Sequence, residues 1–246
     1  MNNSVTKNNK YKENGVINFY EIMPKKFLET TENPNYHYHK IKLPLRGLVV
    51  APSGFGKTNL LLNLIKVFSD KTKNVNKMGS FYDIHVYTKN KDEPIYNYLA
   101  SLSPSIFIHE DLTTLKLDKF DKKYAHLVVF DDLVLNKDQK PMAEFFMRCR
   151  KLNTSCIYLS QSFFMTPKFI RQNCNVMWIL KLAGQREVNI ILKEFSLGVD
   201  KEILLKMYDY ATNERFYPLM IDLEASCMNN KFRKGLFEFI NIGEFS

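Results

Sequence analysis

Cysteine is scarce in this chain and poorly placed to hold a metal. Cys149, Cys156, Cys174 and Cys227 form no Cys-x-x-Cys pair, and no nearby histidine completes a zinc spacing. That excludes a zinc module and leaves free thiols in a reducing compartment as the expectation. No apolar run approaches the roughly 20 residues that a bilayer demands. The opening segment, MNNSVTKNNKYKENG, lacks the apolar stretch of a secretory leader, so the reading is an intracellular protein without a membrane partner. No internal repeat is present, which excludes solenoids and propellers. Acid is the scarcer charge, 26 residues against 35 Lys and Arg, giving a formal net charge of +9. The surplus suits a polyanion such as DNA, although a plain solvated basic surface has the same composition.

What is present is an ordinary globular composition, 45% hydrophobic and 25% charged over 246 residues, enough for one large α/β domain. Residues 1–15, rich in Asn and Lys, are expected to be a disordered tail. Residues 16–44 carry Phe19, Tyr20, Phe27, Tyr36 and Tyr38 among three prolines and read as an extended lead-in that packs on the core. The domain proper spans 45–246. Short, continuously apolar runs mark strands covered on both faces: 47–51, 84–88, 106–109, 127–131, 156–160 and 176–182. Helical spacing separates them at 57–68, 93–102, 139–152 and 167–173, and two more helices divide near Gly198 within 185–211. This alternation predicts a mainly parallel sheet flanked by helices, with right-handed crossovers. Residues 215–224 and 232–240 read as a short C-terminal β-hairpin.

The segment Ala51-Pro52-Ser53-Gly54-Phe55-Gly56-Lys57-Thr58 follows an apolar strand and opens the amphipathic run NLLLNLI. A triphosphate needs a concave nest of backbone N–H groups, and Gly54 and Gly56 let the chain curl into one. The helix that follows points its free N–H groups at the same anion. Ser53, Gly54, Phe55, Gly56, Lys57, Thr58 and Asn59 are therefore expected to surround ATP, with Lys57 on the β- and γ-phosphates and the Thr58 hydroxyl on Mg2+. Ala51 stands where the usual pattern has glycine, a mild change at the strand's end. A glycine-rich turn without a ligand is the plain alternative.

The strand YAHLVVF ends in Asp131 and Asp132. An acid at the carboxyl end of such a strand holds magnesium through water, the role expected of Asp131. Asp132 stands where a hydrolysing enzyme orients the attacking water. The alternative is a helix cap followed by an acidic turn. Residues 156–160 read as the next strand. In ATPases with an extra strand between the loop strand and the acid strand, a polar residue sits at that strand's end. Gln161 is therefore the candidate γ-phosphate sensor, with a plain polar loop residue as the alternative. Arg148, Arg150 and Lys151 cluster at a helix end, where cations are favoured in any case. As an arginine finger reaching a neighbouring subunit's nucleotide, Arg150 is the first choice and Arg148 the second.

The loop APSGFGKT, the segment HLVVFDD and the unit RCRKLNTSCIYLSQS resemble the viral genome-packaging ATPases of the FtsK–HerA superfamily, those of poxvirus-like large DNA viruses and virophages most closely. The resemblance covers residues 43–185, and its most specific part is the run from Arg150 to Tyr158-Leu159-Ser160-Gln161-Ser162. The family carries Arg-His where this chain has Arg150-Lys151. The resemblance implies a P-loop NTPase fold of the additional-strand (ASCE) type and a homo-oligomeric ring of five or six subunits. Such a ring hydrolyses ATP and threads double-stranded DNA, without sequence preference, into a capsid through a capsid or portal-vertex protein. The implied setting is the host cytoplasm, at the viral factory, or the virion itself. Lys71-Thr72-Lys73 with Lys77, and Lys116–Lys123, are candidate DNA-gripping loops. Three other functions share the phosphate loop: a further FtsK–HerA-type translocase, a P-loop kinase and a non-enzymatic nucleotide-binding scaffold. A kinase needs an acceptor pocket and an arginine-rich lid, whereas Arg171, Arg186, Arg215 and Arg233 are widely spaced.

Overall fold

The computed structural model describes residues 19–24, 32–136 and 138–246, in two compact units that divide after Thr30. The tail expected over 1–15 lies outside the described residues. Of the first unit, Phe19–Ile22 forms one helical turn, α1.

The second unit begins with another single turn, α2 (Tyr36–His39), and then enters the sheet. Its strands are β1 (Arg46–Val50), β2 (Asp83–Thr88), β3 (Ile106–His109), β4 (His126–Asp131), β5 (Thr154–Ser160), β6 (Val176–Ile179), β7 (Leu219–Asp222), β8 (Phe232–Lys234) and β9 (Glu238–Phe239). The helices between them are α3 (Lys57–Ser69), α4 (Pro94–Ser101), α5 (Lys140–Arg148), α6 (Lys168–Asn173), α7 (Gln185–Glu194) and α8 (Lys201–Ala211). Strand order is β3-β2-β4-β5-β1-β6-β7-β8-β9. The first six are parallel, and β7, β8 and β9 extend the sheet antiparallel. The expected extra strand is β5, seated between β1 and β4.

Continuous apolar strands follow from burial on both faces. Leu48, Val128, Phe130 and Tyr158 face a core closed by Phe145 and Phe146 of α5, Ile191 of α7 and Met207 of α8. Val49, Leu127, Val129 and Leu159 alternate to the other face, under Leu61, Leu64 and Phe68 of α3 and Tyr96 of α4. Beyond β6 the sheet edge is fastened by a buried pair, Arg233 to Asp222 at 3.3 Å. The same guanidinium donates to the carbonyls of His39 (2.6 Å) and Lys40 (3.0 Å). Burial, together with that cation, pushes the His39 imidazole down to about 3, so it stays neutral. Among the described residues no helix is long and apolar enough to cross a membrane.

Register fixes what the fold delivers to function. Val50 pairs with Ser160, Leu159 with Asp131, and Asp131 with Thr88, so β1, β5, β4 and β2 all end along one edge.

Candidate nucleotide site

At that edge β1 leads through Ala51 into the phosphate loop. Gly54 has φ +77° and Gly56 φ +94°, a left-handed backbone that turns successive N–H groups inward and that glycine adopts without strain. Gly56 is also the residue before α3, so the loop closes directly onto a helix N-terminus. Lys57 is the first residue of that helix. Its ammonium donates to the carbonyls of Ala51 (3.0 Å) and Pro52 (3.3 Å), spanning the loop it belongs to. Burial pushes its pKa down, and the carboxylates of Asp131 and Asp132 oppose that shift. All three charges therefore share one locality.

Asp131, the last residue of β4, is buried, and burial raises its pKa. The opposing influences are a hydrogen bond from the Tyr96 hydroxyl and the charge of Lys57. Tyr96 projects from α4, is fully buried, and also meets the Thr58 hydroxyl. One phenol thus joins the two expected metal ligands. Thr58 and Asp131 offer a hydroxyl and a carboxylate, hard oxygen donors that leave most positions of a small octahedral cation to water and phosphate. Such a donor pair fits magnesium delivered with a phosphate ligand.

Asp132 leaves the strand with φ +54°, a left-handed conformation that Asp tolerates better than most residues. Its carboxylate accepts from Gln161 Nε2 at 2.8 Å. Gln161 is held at the end of β5 by anchors on both sides. Ser160 Oγ donates to the Ser162 carbonyl (2.7 Å), and Glu187 in the first turn of α7 accepts from Ser162 Oγ (2.7 Å) and Phe163 N (2.5 Å). The catalytic pair expected from sequence is thereby brought together beside the loop.

The two arginines stand elsewhere. Arg148 pairs with Glu144 one turn earlier on α5 at 2.5 Å, both side chains largely exposed. Arg150, on a 3-10 turn that continues α5, lies 3.9 Å from Glu224. Both precede the amino end of β5, and seven residues of strand put that end about 20 Å from Gln161. Neither arginine can reach the phosphate loop of its own chain. The basic segments Lys71–Lys73 with Lys77 and Lys116–Lys123 lie in the connections that lead into the amino ends of β2 and β4. Asn35, buried, fixes the first by donating to the carbonyls of Phe68 (3.1 Å) and Asp70 (3.0 Å) and accepting from Asn74 (2.7 Å).

Sequence reasoning missed Tyr96 and Glu187. Neither belongs to a recognisable spacing; each declares itself only by the partner it finds. A prediction isolates the tyrosine. Because its bond lowers the pKa that burial raises in Asp131, Tyr96→Phe moves that pKa higher still. The carboxylate then protonates at a higher pH. The acid limb of a pH profile for nucleotide turnover shifts upward, and more magnesium is needed for half-maximal rate. An unchanged acid limb would reduce Tyr96 to core packing.

Residues 35–232 match the family described as Poxvirus A32 protein. The DNA packaging protein OPG160 of vaccinia virus (strain Copenhagen) is 28% identical over 201 residues, which cover 76% of this chain and 72% of that protein. The variola virus protein of the same name is 27% identical over the same shares of each chain. Among solved structures, the genome packaging NTPase B204 from Sulfolobus turreted icosahedral virus 2, in complex with AMPPCP, superposes with a TM-score of 0.53 at 14% identity. That match covers 76% of this chain and 96% of the other. Its sulfate complex gives a TM-score of 0.53 at 12% identity, over 80% and 100%. At such identity the likeness is one of fold.

Proposed function

This chain belongs to the Poxvirus A32 protein family, and from that premise we propose that it is the ATP-hydrolysing motor that drives double-stranded DNA into a viral capsid. The observation that carries the proposal is the convergence, at one sheet edge, of the Gly54–Gly56 nest, the Thr58–Tyr96–Asp131 group and the Asp132–Gln161 pair. The DNA packaging role of the vaccinia and variola relatives supports the substrate. The nucleotide analogue held by B204, which shares the fold, supports the phosphate site.

In this reading the loop N–H groups and Lys57 bind the phosphates, with Ser53, Phe55 and Asn59 completing the cradle. Thr58 and Asp131 would hold magnesium, which would supply positive charge against the phosphates. Asp132 orients the attacking water and accepts its proton. Gln161, bonded to Asp132, reports whether a γ-phosphate is in place. Arg150, unable to serve its own loop, serves that of the next subunit in a ring of five or six, with Arg148 as the second candidate. The loops around Lys71–Lys77 and Lys116–Lys123 grip DNA phosphates without reading bases. A capsid or portal-vertex protein receives the motor, inside the host cytoplasm.

The test is ATP turnover by the purified chain with and without double-stranded DNA of unrelated sequences. The expected result is stimulation by every duplex, declining steeply with added salt as counterion release requires. Turnover indifferent to DNA would leave a P-loop ATPase with another purpose.

A further inference from the structure

The residues that would attend the γ-phosphate all lie on one side of β1. Asp131 and Asp132 end β4, Gln161 follows β5, and β5 is the immediate neighbour of β1 on that side. A nucleotide whose terminal phosphate points there must send its sugar and base the other way, toward β6 and β7. What stands on that side is the exposed loop 213–217 that leads into β7.

That loop brings Phe216 against the phosphate loop. A Cβ added at Gly56 would lie 2.3 Å from Phe216 Cδ1 and 2.9 Å from Cε1, so the ring edge rests directly on the glycine. Phe216 has φ +72°, an unfavourable backbone for a bulky residue and one usually retained where a site requires it. The side chain is nonetheless 40% exposed, a flat apolar surface beside a polar nest. The Arg215 guanidinium lies 4.6 Å from the ring centroid. The loop carrying both is anchored: Lys234, itself buried, donates to Glu214 (2.6 Å) and Asn213 (3.2 Å). A strained, exposed aromatic on a fixed loop is poorly explained as core.

We propose that Phe216, flanked by Arg215, is the platform on which the base of the bound nucleoside triphosphate stacks. The proposal rests on the phosphate-loop reading above and adds the base-binding part of that site. Stacking takes any planar base but favours a purine for its larger face, so the platform supplies affinity for the nucleoside, while Gly54, Gly56 and Lys57 supply it for the phosphates. Glycine at 56 is required twice over, by its own φ and by the ring that leaves no room for a Cβ.

Two magnesium-bound ligands separate the platform from the phosphate site: ATP and inorganic tripolyphosphate, which has no base. Binding of each to the full chain is measured by calorimetry for the native protein, Phe216→Ala and Phe216→Tyr. Phe216→Ala is expected to weaken ATP by about tenfold and leave tripolyphosphate unchanged, whereas Phe216→Tyr holds ATP within roughly twofold. An equal loss for both ligands would make the ring a packing element of the phosphate loop, and no loss for either would make it idle. Each of those results overturns the platform and leaves the phosphate site standing. A native chain that binds neither ligand overturns the phosphate site and the platform together.

Discussion

Replacing Asp132 with asparagine is expected to slow ATP turnover by on the order of a thousandfold while leaving ATP binding within about twofold of the native chain. The substitution is conservative in every respect except charge. Asparagine tolerates the φ of +54° as well as aspartate does, so the chain leaves β4 on the same path. Its amide can still pair with Gln161 across the 2.8 Å contact, since both side chains carry a donor and an acceptor. What is lost is a base able to take a proton from water as the water attacks. Asp131, one residue earlier, cannot substitute: it is buried and its carboxylate is engaged by Tyr96. Lys57→Ala provides the contrast. Removing the cation that spans the loop is expected to weaken binding and turnover together, because in the proposed mechanism Lys57 serves the ground state as well as the transition state. Single-turnover rates and nucleotide affinities for the two variants distinguish these roles. An Asp132→Asn variant that kept its rate would move the base elsewhere and return the kinase reading to contention.

The parts of this molecule that obey a local rule were legible in its sequence. Gly54 and Gly56 announce a left-handed loop because few other residues adopt that backbone, and both have positive φ. The apolar runs announce two-faced burial, and each became a strand of the parallel core or its continuation. Where a nonlocal partner decides, reading along the chain fails. The run 176–182 looks like one strand but leaves the ladder after Ile179, because the Leu182 N–H turns to the Tyr208 hydroxyl of α8 (2.7 Å). The second strand of the hairpin, read over 232–240, breaks into β8 and β9 at Gly235, whose φ is +65°. The helix read over 139–152 tightens into a 3-10 turn at Cys149 and ends on Asn153 at φ +51°, which aims the chain into β5. Tyr96 illustrates the limit best. On α4 it sits three residues before the buried Leu99 and looks like core, and only folding brings its hydroxyl to a carboxylate 35 positions away.

Two inactive variants, Lys57→Ala and Arg150→Ala, are expected to recover ATP turnover when mixed. The expectation follows from where the fold puts the arginine. Arg150 precedes β5 at the sheet edge opposite the phosphate loop, about 20 Å of strand away, and an arginine side chain cannot span that distance. Among the described residues its one ion pair is with Glu224, at 3.9 Å and with half the arginine's surface in solvent, a pairing too exposed to explain its presence through stability. An arginine supplied from a neighbouring subunit to a transferring phosphoryl group is worth a thousandfold or more in rate. Arg150→Ala alone should therefore lose about that factor while binding ATP normally, and Lys57→Ala alone should fail at its own loop. In a ring, however, a subunit with an intact loop can sit beside one with an intact arginine. At equal mixing about a quarter of the junctions combine the two, and those junctions should turn over ATP. Recovery requires that the two residues act across an interface, because no rearrangement within one chain restores what that chain lacks. A mixture as inactive as its parts would assign Arg150 to its own subunit's fold and pass the test to Arg148, whose pairing with Glu144 is also at the surface.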